Sequence, residues 1–288
     1  MLHRRDMLRL QYGVAVAHSS DEALRSLFGE EASMQLPIIQ GVIARRLLVN
    51  YRVAPEVIAR LLPAPFRPKL VDGMAIAGIC LIRLEEIRPR HLPVIVGISS
   101  ENAAHRIAVE WGEDAAAQEG VYIPRRDSNS RANAFLGGRL FPGEQHHARF
   151  TAHDDEERLA LDIASDDGVV RVSLAGHPAD ALPDTSVFPT VAAASRFFEL
   201  GALGYSATRD PGRFDGMELR SEGWQVAPFA IERVASSFFD DPARFPPGTA
   251  TLDCALIMRG IRHEWHGQGQ LCASEPLRDG ATVAALSL

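Results

Sequence analysis

Lysine is almost absent from this sequence of 288 residues. The chain carries 30 basic residues, and all of them except Lys69 are arginines. An arginine does not replace a lysine as a nucleophile, because its guanidinium stays protonated with a pKa above ~12. Any chemistry that needs a free amine must therefore use Lys69 or the N-terminal amine.

Cysteines and long hydrophobic runs are also scarce. The three cysteines, Cys80, Cys254 and Cys272, form no CxxC or Cys/His spacing, which argues against a disulfide framework and indicates a reducing compartment. No run of about 18 apolar residues is present, so we expect no transmembrane helix and no membrane partner. The first apolar segment is short for a signal peptide and is interrupted at Arg9 and Gln11. We therefore expect a cytoplasmic protein.

A positive net charge is missing as well. The formal net charge is −7, whereas a domain that binds duplex nucleic acid is normally basic, so nucleic acid is not expected as a partner. The phosphate-loop patterns GxGxxG and GxxxxGK and the elbow GxSxG do not occur. The string HEWH (263–266) is not HExxH, and the adjacent His146 and His147 would point to opposite faces of a strand. We predict no metal and no other cofactor.

Composition and periodicity predict one large domain of the α+β class. With 46% hydrophobic residues the chain can bury a full core. Residues 1–33, with a short helix at 19–31, are interpreted as an N-terminal extension because Met34 offers an alternative start, and residues 34–288 as the folded domain. Two further helices are predicted at 54–62 and 189–204. Strands are predicted at 42–53, 74–87 and 105–111, and a meander of three strands is predicted at 146–153, 157–165 and 168–176. Two more strands are predicted within 216–239. The segment 246–266 is predicted to form either a strand or a short helix.

Six strings occur in order along the chain: LVNYRVAPEVIARLLPAPFRP, GICLIRL, ENAAHRIAVEW, GVYIPRRDSNS, GGRLFPGEQHHARF and LDCALIMRGIRHEW. In combination they resemble a widespread bacterial family of unknown function, the YqjF-like proteins, which is grouped with the acetoacetate decarboxylase-like superfamily. The resemblance covers residues 34–266. It implies a closed or cone-like antiparallel β-barrel with a few short helices and a central pocket. Fold alone does not imply function.

The resemblance does not extend to the decarboxylases' catalytic lysine. In those enzymes a lysine within a Pro-Lys-Lys sequence forms an imine with the substrate ketone, and the best match here is Pro124-Arg125-Arg126. Lys69 lies in a different motif, PFRPKL, where we expect it to be exposed. The glutamates of the decarboxylases' early strand are also missing, since AIAGICLI is apolar. Acetoacetate decarboxylase activity through an imine is therefore not expected.

The glycine-rich segment 120–143 holds four arginines and no lysine. One interpretation is an anion clamp, in which Arg125 or Arg126 points into the pocket and binds a carboxylate or enolate. The other is a surface turn in which these arginines pair locally with Asp127. Arg139 follows a Gly-Gly pair that either lets the backbone approach a ligand or forms a hairpin corner. All three arginines remain candidates for binding a substrate.

His105, Glu110 and Tyr51 are the remaining candidates for the pocket. On an extended segment His105 shares one face with three apolar residues, whereas Arg106 and Glu110 share the other. If its face lines the pocket, His105 can act as a general acid or base, with Glu110 as a second candidate; otherwise it is a hydrogen-bonded core residue. Tyr51 either donates a phenol hydrogen bond into the pocket or fills the core.

These residues support two hypotheses, both with a small organic anion as ligand. The first is a lyase, hydratase or isomerase that acts on an oxo-acid-like substrate without an imine, with an arginine that stabilises a carboxylate or enolate. The second is a non-catalytic binding or sensing protein that kept the pocket without the lysine. The sequence does not decide between them, and it leaves a homo-oligomer open.

Overall fold

The computed structural model describes residues 37–112, 117–131 and 143–273. The predicted extension at 1–33 and its short helix lie outside these residues. Within them the structure contains 13 strands, two α-helices and one turn of 3-10 helix at Val94–Val96. The helices are α1 (Pro55–Leu61) and α2 (Val191–Leu200). The strands are β1 (Ile39–Val53), β2 (Arg67–Pro68), β3 (Leu70–Val71), β4 (Met74–Pro89), β5 (Ile98–Trp111), β6 (Gln118–Ser128), β7 (Gln145–Asp154), β8 (Leu159–Ser165), β9 (Arg171–Pro178), β10 (Leu203–Ala207), β11 (Arg213–Ser221), β12 (Ala227–Ser236) and β13 (Ala250–Cys272).

The predicted α+β class is confirmed, and most predicted elements occur near their expected positions. The meander is β7–β8–β9, paired antiparallel in that order. For the segment 246–266 the sequence predicted either a strand or a short helix. From Ala250 onward it is a strand, part of the 23-residue β13. Helix α2 begins after Thr190, whose side chain accepts a hydrogen bond from the backbone N–H of Ala193 and so caps the first turn.

The strands form one sheet whose pairings close on themselves twice. Strands β13, β1, β4, β5 and β6 pair antiparallel in this order, and we call them the shared wall. Strands β10 and β11 connect β6 back to β13 and close a first ring. Strands β7, β8, β9 and β12 connect the same two strands and close a second ring. Among the described pairings, β6–β10 and β6–β7 are parallel and the others antiparallel.

Both faces of the shared wall are buried over much of its length, and the buried side chains alternate between them. In β1, Leu47 and Val49 belong to one apolar cluster and Leu48 to another. In β4, Ile79 belongs to the first cluster and Cys80 to the second. We call the face with Leu47 and Ile79 the aromatic face and the face with Leu48 and Cys80 the cavity face. A strand buried on both sides has no polar alternation, which explains the apolar run AIAGICLI.

A largely buried ion-pair network connects β1 to four other strands: β4, β5, β7 and β13. The Arg45 side chain donates hydrogen bonds to Glu101 (2.6 Å) and to Asp154 (2.9 Å). Arg259 also bonds Asp154 (2.6 Å), and Arg83 bonds Glu101 at 3.3 Å. Arg45 is almost completely buried, so its charge depends on these carboxylates for compensation.

We expect Glu101→Gln to lower the free energy of unfolding by roughly 3 kcal/mol, because it removes one of the two carboxylates that compensate a buried guanidinium. Glu85→Gln is the matched control, since Glu85 pairs with the same Arg83 at 3.0 Å but its side chain is 41% exposed. The free energy of unfolding of the Glu85→Gln variant should fall by less than about 1 kcal/mol. Urea denaturation of the two variants measures the difference, and equal losses would contradict the network's role.

Candidate ligand-binding site

A cavity of about 140 Å³ lies on the cavity face of the shared wall. A single water needs a cavity of roughly 10–15 Å³, so this cavity has room for a small organic molecule. All seven strands of the first ring line it: Arg46 from β1, Cys80 from β4, Arg106 from β5, Arg126 from β6, Gly204 from β10, Met217 from β11 and Trp265 from β13.

Three arginines, Arg46, Arg106 and Arg126, come together in this cavity from three adjacent strands. Within residues 37–112, 117–131 and 143–273, none of them forms an ion pair with a carboxylate. The aspartate of the lining, Asp127, accepts its hydrogen bonds from Arg125 instead. The cavity therefore concentrates positive charge in a protein whose net charge is −7.

Arg106 is the most buried of the three, with 5% of its surface exposed. One terminal nitrogen donates a hydrogen bond of 2.5 Å to Oδ1 of Asn50. The guanidinium also lies over the ring of Phe198 at 4.7 Å, a cation–π contact that partly replaces the lost hydration. Its Nε has no hydrogen-bond partner in the described part of the chain.

The other two arginines are held by weak partners as well. Arg126 donates from Nε to the hydroxyl of Ser206 at 3.3 Å. Arg46 donates from Nε to Sγ of Cys80 at 3.2 Å, and its guanidinium lies 5.5 Å from the ring centre of Trp224. Both residues keep some accessible surface, and both line the cavity.

Burial destabilises the protonated form of two of these side chains, Arg106 and Arg126. It lowers the pKa of Arg106 to about 10, and the charge of Arg46 lowers it as well, whereas Cys80 acts in the opposite direction. Burial likewise lowers the pKa of Arg126 to about 10. Both side chains stay cationic at pH 7, so the desolvated charges remain to be compensated by an anion.

Adjacent arginines separate onto opposite faces of their strands. Arg125 donates hydrogen bonds to Asp127 (2.7 Å) and Asp167 (2.8 Å), and it does not line the cavity, whereas Arg126 does. Of the two interpretations of IPRRD, the local pair describes the contacts of Arg125 and the position in a cavity describes Arg126. The predicted surface turn is wrong, because this segment lies inside β6 and the Arg125 side chain is only 12% exposed. Arg45 and Arg46 show the same division, since Arg45 bonds carboxylates. Arg139, the third predicted binding arginine, lies outside the described residues.

His105 and Tyr51 lie on the aromatic face, away from the three cavity arginines. The His105 ring is fully buried with its centre 4.5 Å from that of Phe238, and its two nitrogens have no hydrogen-bond partner among the described residues. Burial lowers the pKa of His105 to about 3, and the charges of Arg125 and Arg244 contribute. Tyr51 stacks on a phenylalanine of the same cluster at 4.0 Å, and burial raises the pKa of its phenol.

Neither Glu110 nor Lys69 lines this cavity. Glu110 is half-exposed, and its carboxylate lies 3.6 Å from Nε of Arg67. Lys69, expected to be exposed, is largely buried: its side chain is 15% exposed, pairs with Glu119 at 2.5 Å and lies 4.4 Å from the ring centre of Phe197. Lys69 is the residue between β2 and β3, and its backbone N–H donates a hydrogen bond to the carbonyl of Ala108 on β5 at 3.0 Å, which holds it beside the sheet.

Sequence reasoning did not single out Arg46 and Cys80 and used Arg106 only as a neighbour of His105. The available signal was a charged residue inside an apolar strand, as in IARRLLV and AAHRIAV. Such a residue is expensive to bury and so is often functional or paired. Within the described ranges, no cluster of three or more His, Cys, Asp or Glu side chains could hold a metal. No helix there is long and apolar enough to cross a membrane.

Comparison with known proteins identifies the fold. The profile of the family DUF2071, described as an uncharacterized conserved protein, matches residues 43–252. No protein with a curated description matches the chain in sequence.

Several solved structures are similar to this chain. The acetoacetate decarboxylase from Legionella pneumophila is 10% identical with a TM-score of 0.54, over 81% of this chain and 86% of its own. The enduracididine biosynthesis enzyme MppR, complexed with the condensation product of pyruvate and imidazole 4-carboxaldehyde, is 13% identical with a TM-score of 0.55, over 86% and 93%. An acetoacetate decarboxylase-like enzyme from Sphingomonas wittichii RW1 is 12% identical with a TM-score of 0.54, over 83% and 94%. These likenesses confirm the acetoacetate decarboxylase-like fold predicted from the sequence.

The burial of His105 predicts a pH-dependent loss of stability. Because its folded-state pKa of about 3 lies below the ordinary 6.5, the unfolded chain binds the proton first. The stability linked to neutral His105 is complete above pH 6.5 and is lost as the pH falls toward 3. Between pH 7 and 4.5 the wild type should lose about 2–3 kcal/mol more than His105→Phe in urea denaturation. Parallel pH profiles for the two proteins would contradict this account.

Proposed function

The chain belongs to the DUF2071 family, and from the cavity that it carries on an acetoacetate decarboxylase-like fold we propose that it binds a small organic anion. The anionic group of the ligand lies among Arg46, Arg106 and Arg126. The observation that supports this proposal is that three arginines line one cavity while none pairs with a carboxylate of the described residues.

Electrostatics favours an anion over a neutral ligand. Removing a guanidinium from water is costly unless a counter-charge or several hydrogen bonds replace the solvent. The partners of these arginines are an amide oxygen, a hydroxyl, a thiol and aromatic rings, so no negative charge compensates them within the described residues. A carboxylate can accept two hydrogen bonds from one guanidinium and bring the missing charge, which makes it the best-matched group.

The other lining residues limit the size of the ligand and favour an apolar group at the end opposite its carboxylate. Away from the arginines the wall is largely apolar and includes Ile82, Leu84, Val121 and Met217. We infer a short carboxylate, such as an oxo acid, with its acid group at the arginines and its carbon chain against these residues. The similar protein MppR has been solved in complex with pyruvate, a ligand of this class.

Binding rather than proton transfer is at the centre of this proposal. The two candidate acids or bases, His105 and Glu110, do not line the cavity. Among its described lining residues, the ionisable groups besides the arginines are Asp127 and Cys80, and Asp127 is bonded to Arg125. We propose a sensing or sequestering role, which requires binding alone.

We expect small carboxylates to raise the thermal stability of the wild type and to do so less in the Arg126→Gln and Arg106→Gln variants. A ligand at 100 times its dissociation constant contributes about 2.7 kcal/mol of stability. The measurement is a thermal-shift titration with acetate, pyruvate, acetoacetate and succinate.

Arg196→Gln is the control for the loss of one positive charge, since Arg196 is exposed on α2. This variant should retain the full shift. A wild type that responds to none of the acids, or equal shifts in all four proteins, would contradict anion binding in this cavity.

The proposal also predicts that no imine forms with a ketone substrate. The ammonium group of Lys69 is engaged with Glu119 and covers the ring of Phe197, so it does not supply a free amine to the cavity. Borohydride added in the presence of acetoacetate should leave the intact mass of the protein unchanged. A substrate-dependent mass increase located on Lys69 by peptide mapping would overturn this part of the account.

A further inference from the structure

We propose that Cys80 is a nucleophile in the arginine cavity and that it forms a covalent bond with small carboxylates that carry an electrophilic carbon. This inference rests on the proposed anion binding and goes beyond it, because it assigns covalent chemistry to the thiol beside the arginines. The ligand class becomes narrower accordingly: an α,β-unsaturated acid, or an acid with a leaving group next to its carboxylate.

The position of Cys80 provides the first argument. Its side chain lies on the cavity face of β4 and lines the cavity together with Arg106 and Arg126. Its sulfur accepts a hydrogen bond from Nε of Arg46 at 3.2 Å. The sulfur is the nucleophilic atom of cysteine, and it therefore lies in the same cavity as the three guanidinium groups.

Arg106 provides the second, independent argument. It is 95% buried, since 5% of its surface is exposed, and its Nε has no hydrogen-bond partner among the described residues. A guanidinium in this position in the cavity lining is suited to hold a carboxylate. A carboxylate held there shares a cavity of about 140 Å³ with the sulfur of Cys80, so the adjacent carbons of the ligand lie close to the nucleophile.

The step needs no oxidant or reductant. With an α,β-unsaturated acid, the thiolate donates its electron pair to the β-carbon, and the C–S bond forms as the π pair moves to the α-carbon. The α-carbon then takes a proton from water, and the proton that the thiol lost returns to the solvent. The negative charge that develops toward the carboxylate is stabilised by the arginines.

The other two cysteines serve as internal references. Cys254 also lies on the cavity face but does not line the cavity; its sulfur accepts a weak hydrogen bond from Asn50 (3.6 Å), and burial raises its pKa to about 12. Cys272 is exposed at the end of β13. We expect Cys254 to be inert and Cys272 to react without preference for charged reagents.

The experiment compares an anionic alkylating agent with a neutral one. The full-length native protein is treated with iodoacetate or with iodoacetamide, and peptide mass spectrometry follows each cysteine over time. In both reactions the C–S bond forms, the C–I bond breaks and iodide leaves. The rate at Cys80 relative to Cys272 should be at least about 10-fold higher with iodoacetate, because the arginines concentrate the anion at the thiol.

Variants test whether the arginines cause this preference. Arg126→Gln and Arg106→Gln should each reduce it several-fold, and the exposed Arg196→Gln should leave it unchanged. Excess pyruvate should slow the labelling of Cys80 by iodoacetate and leave that of Cys272 unaffected.

The outcomes separate this inference from the proposed function. If carboxylates stabilise the wild type and Cys80 reacts with neither reagent, the assignment of Cys80 as a nucleophile is overturned and the proposal of anion binding stands. Equal reactivity of Cys80 toward both reagents also overturns the inference. If no carboxylate stabilises the protein and no preference for iodoacetate exists, both fail together.

Discussion

The alternation of side chains along the shared wall is the constraint on which the rest of this structure depends. Five strands serve two rings, so both of their faces are buried over much of their length, and the buried residues there belong to one interior or the other. A shift of one residue would exchange the two sets of side chains. The consequence is clearest at His105 and Arg106, where the histidine joins the aromatic face and the arginine lines the cavity.

The same alternation determines which arginines are compensated. In the pairs Arg45-Arg46 and Arg125-Arg126, the first residue bonds carboxylates and the second lines the cavity. Buried arginines that have carboxylate partners are structural, because breaking the pair leaves an unpaired charge. Arginines that have no such partner in the described part of the chain carry a cost of burial that the contacts seen there do not offset, and that cost motivates the assignment of an anionic ligand. Cys80, the proposed nucleophile, lines the same cavity as these arginines.

Much of the fold was predictable from the sequence, but the site was only partly so. Short helices, the meander and the division of His105 from Arg106 follow from local periodicity, which the chain itself encodes. The choice between Arg125 and Arg126 does not follow, because it depends on which face of β6 turns toward the cavity. The burial of Lys69 depends on contacts with Glu119 and α2, far away in sequence, which no local pattern reveals.

The most direct test of anion binding at the arginine cavity is a crystal structure of the protein with pyruvate. The account predicts the pyruvate carboxylate at hydrogen-bonding distance, about 2.7–3.2 Å, from at least two of the guanidinium groups of Arg46, Arg106 and Arg126. Pyruvate bound instead beside Arg125 and Asp167, or among the rings around His105, would contradict it.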